Sequence, residues 1–307
     1  MKRRVIKQGH NTLTITLPSR WVEENRISPG DELDINESEF GLVVTSKGET
    51  TKRVLTLDLK NMSYRIIEGH LVIAYKAGYD EIEILFGDTK TFDLIQNIIK
   101  TRLLGYEIIE QHKNSCIVKN VSNIIESEFH TILRRIFLIV LSSAKTSLER
   151  IKEKDVASLG ELLVMKETAD KFYSLCCRII INNHILPSTK NHFIYVILWV
   201  LDKLGDDYRD LCAYLIERKN SPLSISNETM KIYESVNALV ESFYKTYYSY
   251  NPEDMSKVYE ERERLIKRIR SIHPTKNETE QIVLEYLLSI TKRMDDFIGS
   301  TIGLNIK

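Results

Sequence analysis

Two acidic pairs are the first residues in this chain whose types and spacing could do chemistry. Glu167 and Asp170 stand three apart, in line with Leu163, Ser174 and Cys177. Asp202 and Asp206 stand four apart after Tyr195, Leu198 and Trp199, with Gly205 beside them. On a helix each pair shares one face, and carboxylates on a line otherwise apolar or small are costly unless something neutralises them. Two such helices facing each other would offer four carboxylates to one cation. The metals to expect are Mg, Mn, Ca, Fe or Zn, and all-oxygen ligands favour the first four over a zinc site built on thiolates. The plain alternative is that these acids make solvated pairs with Lys166, Lys171 and Lys203.

A second chemistry lies at the N-terminus. Lys2, Arg3, Arg4, Lys7 and Arg20 fall in the first twenty residues without one acid. The next thirty hold Glu23, Glu24, Asp31, Glu32, Asp34, Glu37, Glu39 and Glu49 against only Arg26 and Lys47. Lys+Arg and Asp+Glu both total 43 over the chain, so the positive charge is local. Doubled in a dimer, such a cluster could neutralise DNA phosphates and release their counterions. Alone it could also be an ordinary solvated terminus. Signals for catalysis are missing: there is no Gly-rich phosphate loop, nucleophile elbow or His-Glu-x-x-His. The four cysteines include no Cys-x-x-Cys, and adjacent Cys176 and Cys177 would point ~100° apart on a helix, which favours packing. A role other than enzyme is expected. The basic run Arg262, Arg264, Lys267, Arg268 and Arg270 reads as a solvated helix face.

These groups must be positioned by three kinds of segment. The chain has 307 residues with few Gly (12) and Pro (6), which disfavours disorder and turn-rich all-β folds and predicts a largely helical protein. Leu13, Ile15 and Leu17 alternate with Thr12, Thr14 and Thr16, and Leu33 and Ile35 with Glu32, Asp34 and Asn36, as in half-buried strands. Pro18-Ser19 opens a short helix between them, and Pro29-Gly30-Asp31 makes a turn. A unit of about 46 residues with so few large apolar side chains needs a second copy to enclose a core, which implies an obligate dimer.

Residues 51–121 read as a small α+β domain: strand Arg53–Leu59, helix Met62–Ala77, strand Glu81–Phe86, helix Thr89–Leu104, then strands Tyr106–Gln111 and Cys116–Val121 about a Lys113-Asn114 turn. Gly78 and Gly105 fall where helix C-caps belong. From 122 onward the period is helical, with candidates 122–154, 158–184, 188–219, 226–250, 253–272 and 275–302, punctuated by Pro187, Pro222, Pro252 and Pro274. Six helices with short joints predict an antiparallel bundle, in two successive sets of three. The longest clean apolar run, Phe193–Leu201, is about half of the ~20 residues of a membrane span. No signal peptide opens the chain, so a cytoplasmic protein that does not span the membrane is expected.

The stretch Arg4-Val-Ile-Lys-Gln-Gly-His-Asn-Thr-Leu-Thr-Ile-Thr-Leu-Pro-Ser-Arg-Trp-Val, followed by Ile27-Ser-Pro-Gly-Asp-Glu-Leu-Asp-Ile, resembles the AbrB/SpoVT-type swapped-hairpin DNA-binding domain. The resemblance covers about residues 1–47. It implies two chains interleaved into one β-barrel, with Arg3, Arg4, Lys7 and Arg20 on phosphates or grooves and Gln8, His10 and Asn11 near base edges. Such domains also serve in antitoxins.

Asp202-Lys-Leu-Gly-Asp206 resembles the Glu-Arg-Ile-Gly-Asp signature of PhoU-type phosphate-uptake regulators, and Glu167-Thr-Ala-Asp170 sits where their preceding helix carries its acids. That resemblance spans 122–302 and implies paired three-helix bundles with metal clusters on acidic motifs. In the second set Glu260, Glu263, Lys292 and Asp296 are the equivalents, but Lys292 replaces an acid, so a salt bridge from Lys292 to Glu260 or Glu263 is expected in place of a second cluster. The expected whole is a multidomain protein: a dimeric AbrB/SpoVT-like head at 1–50, an α+β middle domain at 51–121 and a PhoU-like six-helix bundle at 122–307. Its expected role is to couple phosphate status to DNA binding, with double-stranded DNA, itself and phosphate-transport or signalling proteins as partners. Two other readings are an adaptor of a phosphate transporter or its kinase, and a di-metal carboxylate enzyme, whose Glu-x-x-His motifs are missing.

Overall fold

In a computed structural model, residues 2–38, 41–46, 53–122, 128–182, 190–218, 223–272 and 274–306 are described. Glu39, Lys47, Glu49, Pro187 and Pro222, along with parts of the expected helix ends, lie outside them. The chain forms two compact units, Met1–Lys52 and Arg53–Lys307.

The first unit is two hairpins and a short helix. β1 (Ile6–Gln8) pairs antiparallel with β2 (Thr12–Thr14), Lys7 opposite Leu13. Then come α1 (Ser19–Glu24) and a second antiparallel pair, β3 (Leu33–Ser38) with β4 (Gly41–Ser46). Gly9 takes φ +76° in the first turn and Gly30 φ +100° in the Pro29-Gly30 turn, conformations that cost glycine least. The order strand, strand, helix, strand, strand is the expected one. However, β2 ends at Thr14, so the alternation through Leu17 outruns its ladder. Apolar side chains also stay in solvent: Ile6 is 53% exposed, Leu13 69%, Ile15 53%, Ile35 61% and Leu42 62%, and α1 buries no residue.

The second unit begins with β5 (Val54–Asp58), α2 (Tyr64–Lys76), β6 (Glu81–Leu85), α3 (Thr89–Arg102), β7 (Tyr106–Gln111) and β8 (Ser115–Asn120). The sheet order is β5-β6-β8-β7, with β5 parallel to β6 and the other neighbours antiparallel. Asp88 caps α3 by accepting the Thr91 N–H at 2.8 Å. Gly78 (φ +85°) follows α2 as the expected cap, and a Cβ there would collide with the Asn182 side chain at 1.9 Å.

Among the described residues six α-helices follow: α4 (Phe129–Glu153), α5 (Gly160–Asn182), α6 (Asn191–Glu217), α7 (Asn227–Tyr248), α8 (Pro252–Ile272) and α9 (Glu278–Asn305). Ser226 caps α7 and Asn277 caps α9. Packing within α4–α6 and within α7–α9 makes two sets of three, joined where α6 meets α9 and α4 meets α7. The α+β layer is fastened to this bundle rather than standing apart, and one apolar core runs through both. Its polar fastener is Arg178 of α5, buried, which donates to the Tyr79 carbonyl (2.7 Å), the Tyr75 carbonyl (3.2 Å) and Asp80 Oδ1 (2.8 Å). No helix among the described residues is long and apolar enough to cross a membrane.

Candidate functional site

On the head, Lys2, Arg3, Arg4 and Lys7 are all exposed, on the extended arm and β1. Gln8, His10 and Asn11 sit exposed at the end of β1 and in its turn, with His10 Nδ1 3.4 Å from Asn11 Oδ1. Arg20 differs from the others: on α1 it pairs with Glu24 at 2.8 Å, both side chains exposed, so its charge is partly spent within its own helix.

In the second unit α5 and α6 do face each other. Asp170, Asp202 and Asp206 each bring one carboxylate oxygen to within 4.8 Å of the others. Glu167, expected as the fourth ligand, points away and is exposed, because it lies one residue round the helix from Lys166. The centre of the triad is held by the chain's own cation. Lys166 Nζ donates to Asp170, to Asp202 Oδ1 at 2.7 Å and to Asp206 Oδ1 at 3.0 Å, and Lys166 is only 4% exposed. Gly205 lets the lysine lie close: a Cβ there would come within 3.0 Å of Lys166 Cδ and 3.1 Å of its Cε, so any larger residue would press the stem away from α6 by a few tenths of an ångström.

Further cations close the ring. Lys203 reaches Asp206 Oδ2 at 2.6 Å and Asp202 Oδ2 at 3.3 Å, Arg209 reaches Asp206 Oδ1 at 3.1 Å, and Arg102 of α3 donates to Asp170 while its Nε meets buried Glu68 at 3.0 Å. Burial alone would discharge Lys166, but the Asp202 and Asp170 carboxylates outweigh it and hold its pKa above the ordinary lysine value. For Asp206, burial pushes upward and Lys166 and Lys203 win, leaving its pKa below the usual carboxylate value. Three carboxylates already served by four cationic side chains do not fit a divalent ion while Lys166 stays in place.

In the second set the salt bridge expected from Lys292 to Glu260 or Glu263 is not among the pairs formed by the described residues; Glu263 is met by Arg262. Arg262, 8% exposed, donates to Glu263 and, from Nη2, to the Lys292 carbonyl at 3.3 Å, while the Lys292 side chain, Glu260 and Asp296 are exposed. Arg293, next to Lys292, instead grips buried Asp207 of α6 from Nε (2.6 Å) and Nη2 (3.2 Å), with Ser289 Oγ also donating at 3.1 Å. All four cysteines are free and buried, and burial pushes the Cys177 thiol up to about 11, so neither Cys176 nor Cys177 is poised to react.

Arg102, Arg209 and Arg178 were not legible as site residues, because each meets its partners only through tertiary packing. Lys166 was legible in part, since it stands four before Asp170 and shares its face.

Residues 6–52 match a family model described as antidote-toxin recognition MazE, bacterial antitoxin. No curated protein and no solved structure matches the chain. The N-terminal unit is thus similar to AbrB/MazE-type domains, a class that binds DNA and forms dimers, and that likeness suggests a DNA-binding or antitoxin-type regulator.

Proposed function

We propose that the protein is a homodimeric transcriptional regulator of phosphate uptake, not an enzyme, in which an AbrB-like head binds DNA and a PhoU-like helical unit makes that binding depend on phosphate status. The observation that carries the DNA-binding half is the coincidence of the family match over residues 6–52 with the exposed basic arm that leads into it and with apolar hairpin faces that one copy leaves in solvent. Burying such faces against a second copy would stabilise the pair by roughly 25 cal/mol per Å² of apolar area. It would also place two basic arms on one dimer.

The phosphate half rests on the Asp202–Asp206 motif and on the two sets of three helices. Signal passes by favouring one placement of the two heads, because two heads held at the wrong spacing forfeit the effective-concentration gain of binding together. Selection of bound fragments from genomic DNA by the full-length protein tests this reading. Enrichment of promoters of phosphate-transport genes, lost on deleting residues 1–47, is the expected result. Unselective recovery, or recovery that survives the deletion, contradicts it and favours an adaptor acting on the transporter or its kinase.

A further inference from the structure

A cleft of about 350 Å³ opens where α2 of the α+β layer faces α5 and α6. It is lined by six cationic side chains and four carboxylates. The carboxylates, Glu68 and the Asp170–Asp202–Asp206 triad, are all engaged by Arg65, Arg102, Lys166, Lys203 and Arg209 in the pairs given above or by the 3.3 Å contact of Arg65 with Glu68. The remaining cation is Lys76, at the end of α2. Its ammonium lies 4.1 Å from the centre of the Tyr173 ring, and no hydrogen bond or ion pair to a carboxylate is formed among the described residues. Burial lowers its pKa, and the more distant Asp202 and Asp170 carboxylates offset that cost only in part.

Gly69 adds an independent observation. It stands inside α2, four residues after Arg65 and seven before Lys76, on the face that lines the cleft. Glycine inside a helix costs about 0.5–1 kcal/mol relative to alanine, and close packing cannot be the reason here, since a Cβ at Gly69 would meet nothing within 4 Å. Gly69 is exposed at the mouth of the cleft, and the space beside it is not filled by the chain.

We propose that this cleft binds a small polyvalent oxyanion of the phosphate class, seated over Gly69 and held by Lys76, Arg65 and Lys203. Its size lies at the lower end of small-ligand pockets, and paired carboxylates on the far wall leave the excess positive charge on the α2 side. The ligand would bridge the α+β layer and the bundle. The proposal rests on the reading of the second unit as the phosphate-responsive half, and it supplies that half with a site.

The test is calorimetric titration of the full-length protein with inorganic phosphate, pyrophosphate and a sugar phosphate, each in chloride buffer. Saturable binding of at least one is expected, with inorganic phosphate and the sugar phosphate arms separating a free ion from a metabolite headgroup. Lys76→Met, which keeps the stem over Tyr173, and Gly69→Phe, which fills the space, should each weaken binding by about tenfold or more. Gly69→Ala should leave it within about threefold. Ligand should also slow acetylation of Lys76 in the unaltered protein, a measurement independent of how any variant folds. Absence of saturable binding to all three anions, retained binding in both folded variants, or equal Lys76 acetylation with and without the anion overturns the proposal. DNA affinity measured in parallel separates the two ideas: anion binding that leaves DNA affinity unchanged keeps the site and contradicts the phosphate-responsive regulator, whereas a phosphate effect on DNA without binding at the cleft does the reverse.

Discussion

Replacing Lys166 by methionine removes the charge at the centre of the Asp170–Asp202–Asp206 triad and preserves most of the stem that runs past Gly205. Removing one partner of a buried ion pair costs about 3–5 kcal/mol, because the remaining charge is uncompensated. Here Lys203, Arg102 and Arg209 stay on the same carboxylates, two of them about one-third exposed, so the lower end, about 3 kcal/mol, is expected. For a unit of this size that is a fall in melting temperature of roughly 6–12 °C, read by far-UV circular dichroism. The variant exposes a triad that a divalent cation can enter, so millimolar Ca or Mn should raise its melting temperature by several degrees while barely moving the unaltered protein. Adding Asp202→Asn to the variant should recover part of the loss, giving a coupling energy between the two positions. A Lys166→Met protein as stable as the parent, or a parent that gains more from divalent cations than the variant, would refute the view that the ammonium serves as the cation of this cage.

Stability against pH should have two limbs. Asp206 has a folded pKa below its ordinary 3.8, so its contribution is present above that value and fades as pH falls through the lower folded one; Lys166, raised above 10.5, contributes below that value and fades as pH rises through the higher folded one. In Lys166→Met the start of the acid limb should invert, because protonation then relieves repulsion among the carboxylates. Alanine at Gly205 should destabilise by about 1–3 kcal/mol by pushing the Lys166 stem aside, whereas alanine at Gly69 should stabilise by about 0.5–1 kcal/mol; denaturant midpoints of the two variants moving in the same direction would contradict the contacts assigned to them. A fragment of residues 1–50 should bind DNA more weakly than the whole chain and without response to phosphate or metal; binding as tight as the full chain, and still responsive, would contradict coupling through paired heads.

The elements readable in advance were those whose signals are local. Helix α2, strand β6, helix α3 and the β7–β8 hairpin lie within a few residues of their expected bounds, because apolar periodicity, Asp88 and Gly78 act over one or two turns of chain. Strand β2 was overestimated for a physical reason: the alternation of Ile15 and Leu17 marks a face to be covered, and one copy supplies no ladder there. Asp170, Asp202 and Asp206 meet where α5 faces α6, but Glu167 does not, and the occupant of the site is Lys166. A lysine four residues before Asp170 looks the same in sequence whether it reaches solvent or turns inward, and the room for it to turn inward is left by Gly205 on another helix. Arg262 in place of Lys292, and Arg293 on Asp207, are likewise settled by which long side chain finds a buried acceptor.

Charge-driven DNA binding by the N-terminal unit is the core of the proposed function. It is tested most directly by measuring the affinity of the full-length protein for duplex DNA across a salt series, beside an Arg3→Ala, Arg4→Ala, Lys7→Ala triple variant. Each phosphate contact contributes about −0.9 to the slope of log affinity against log salt. Up to three contacts per copy are removed, so the variant's slope should be shallower by up to about five units per dimer, with affinity lost on specific and nonspecific sequences alike. A triple variant with unchanged affinity and unchanged slope would place DNA binding elsewhere or remove it from the function.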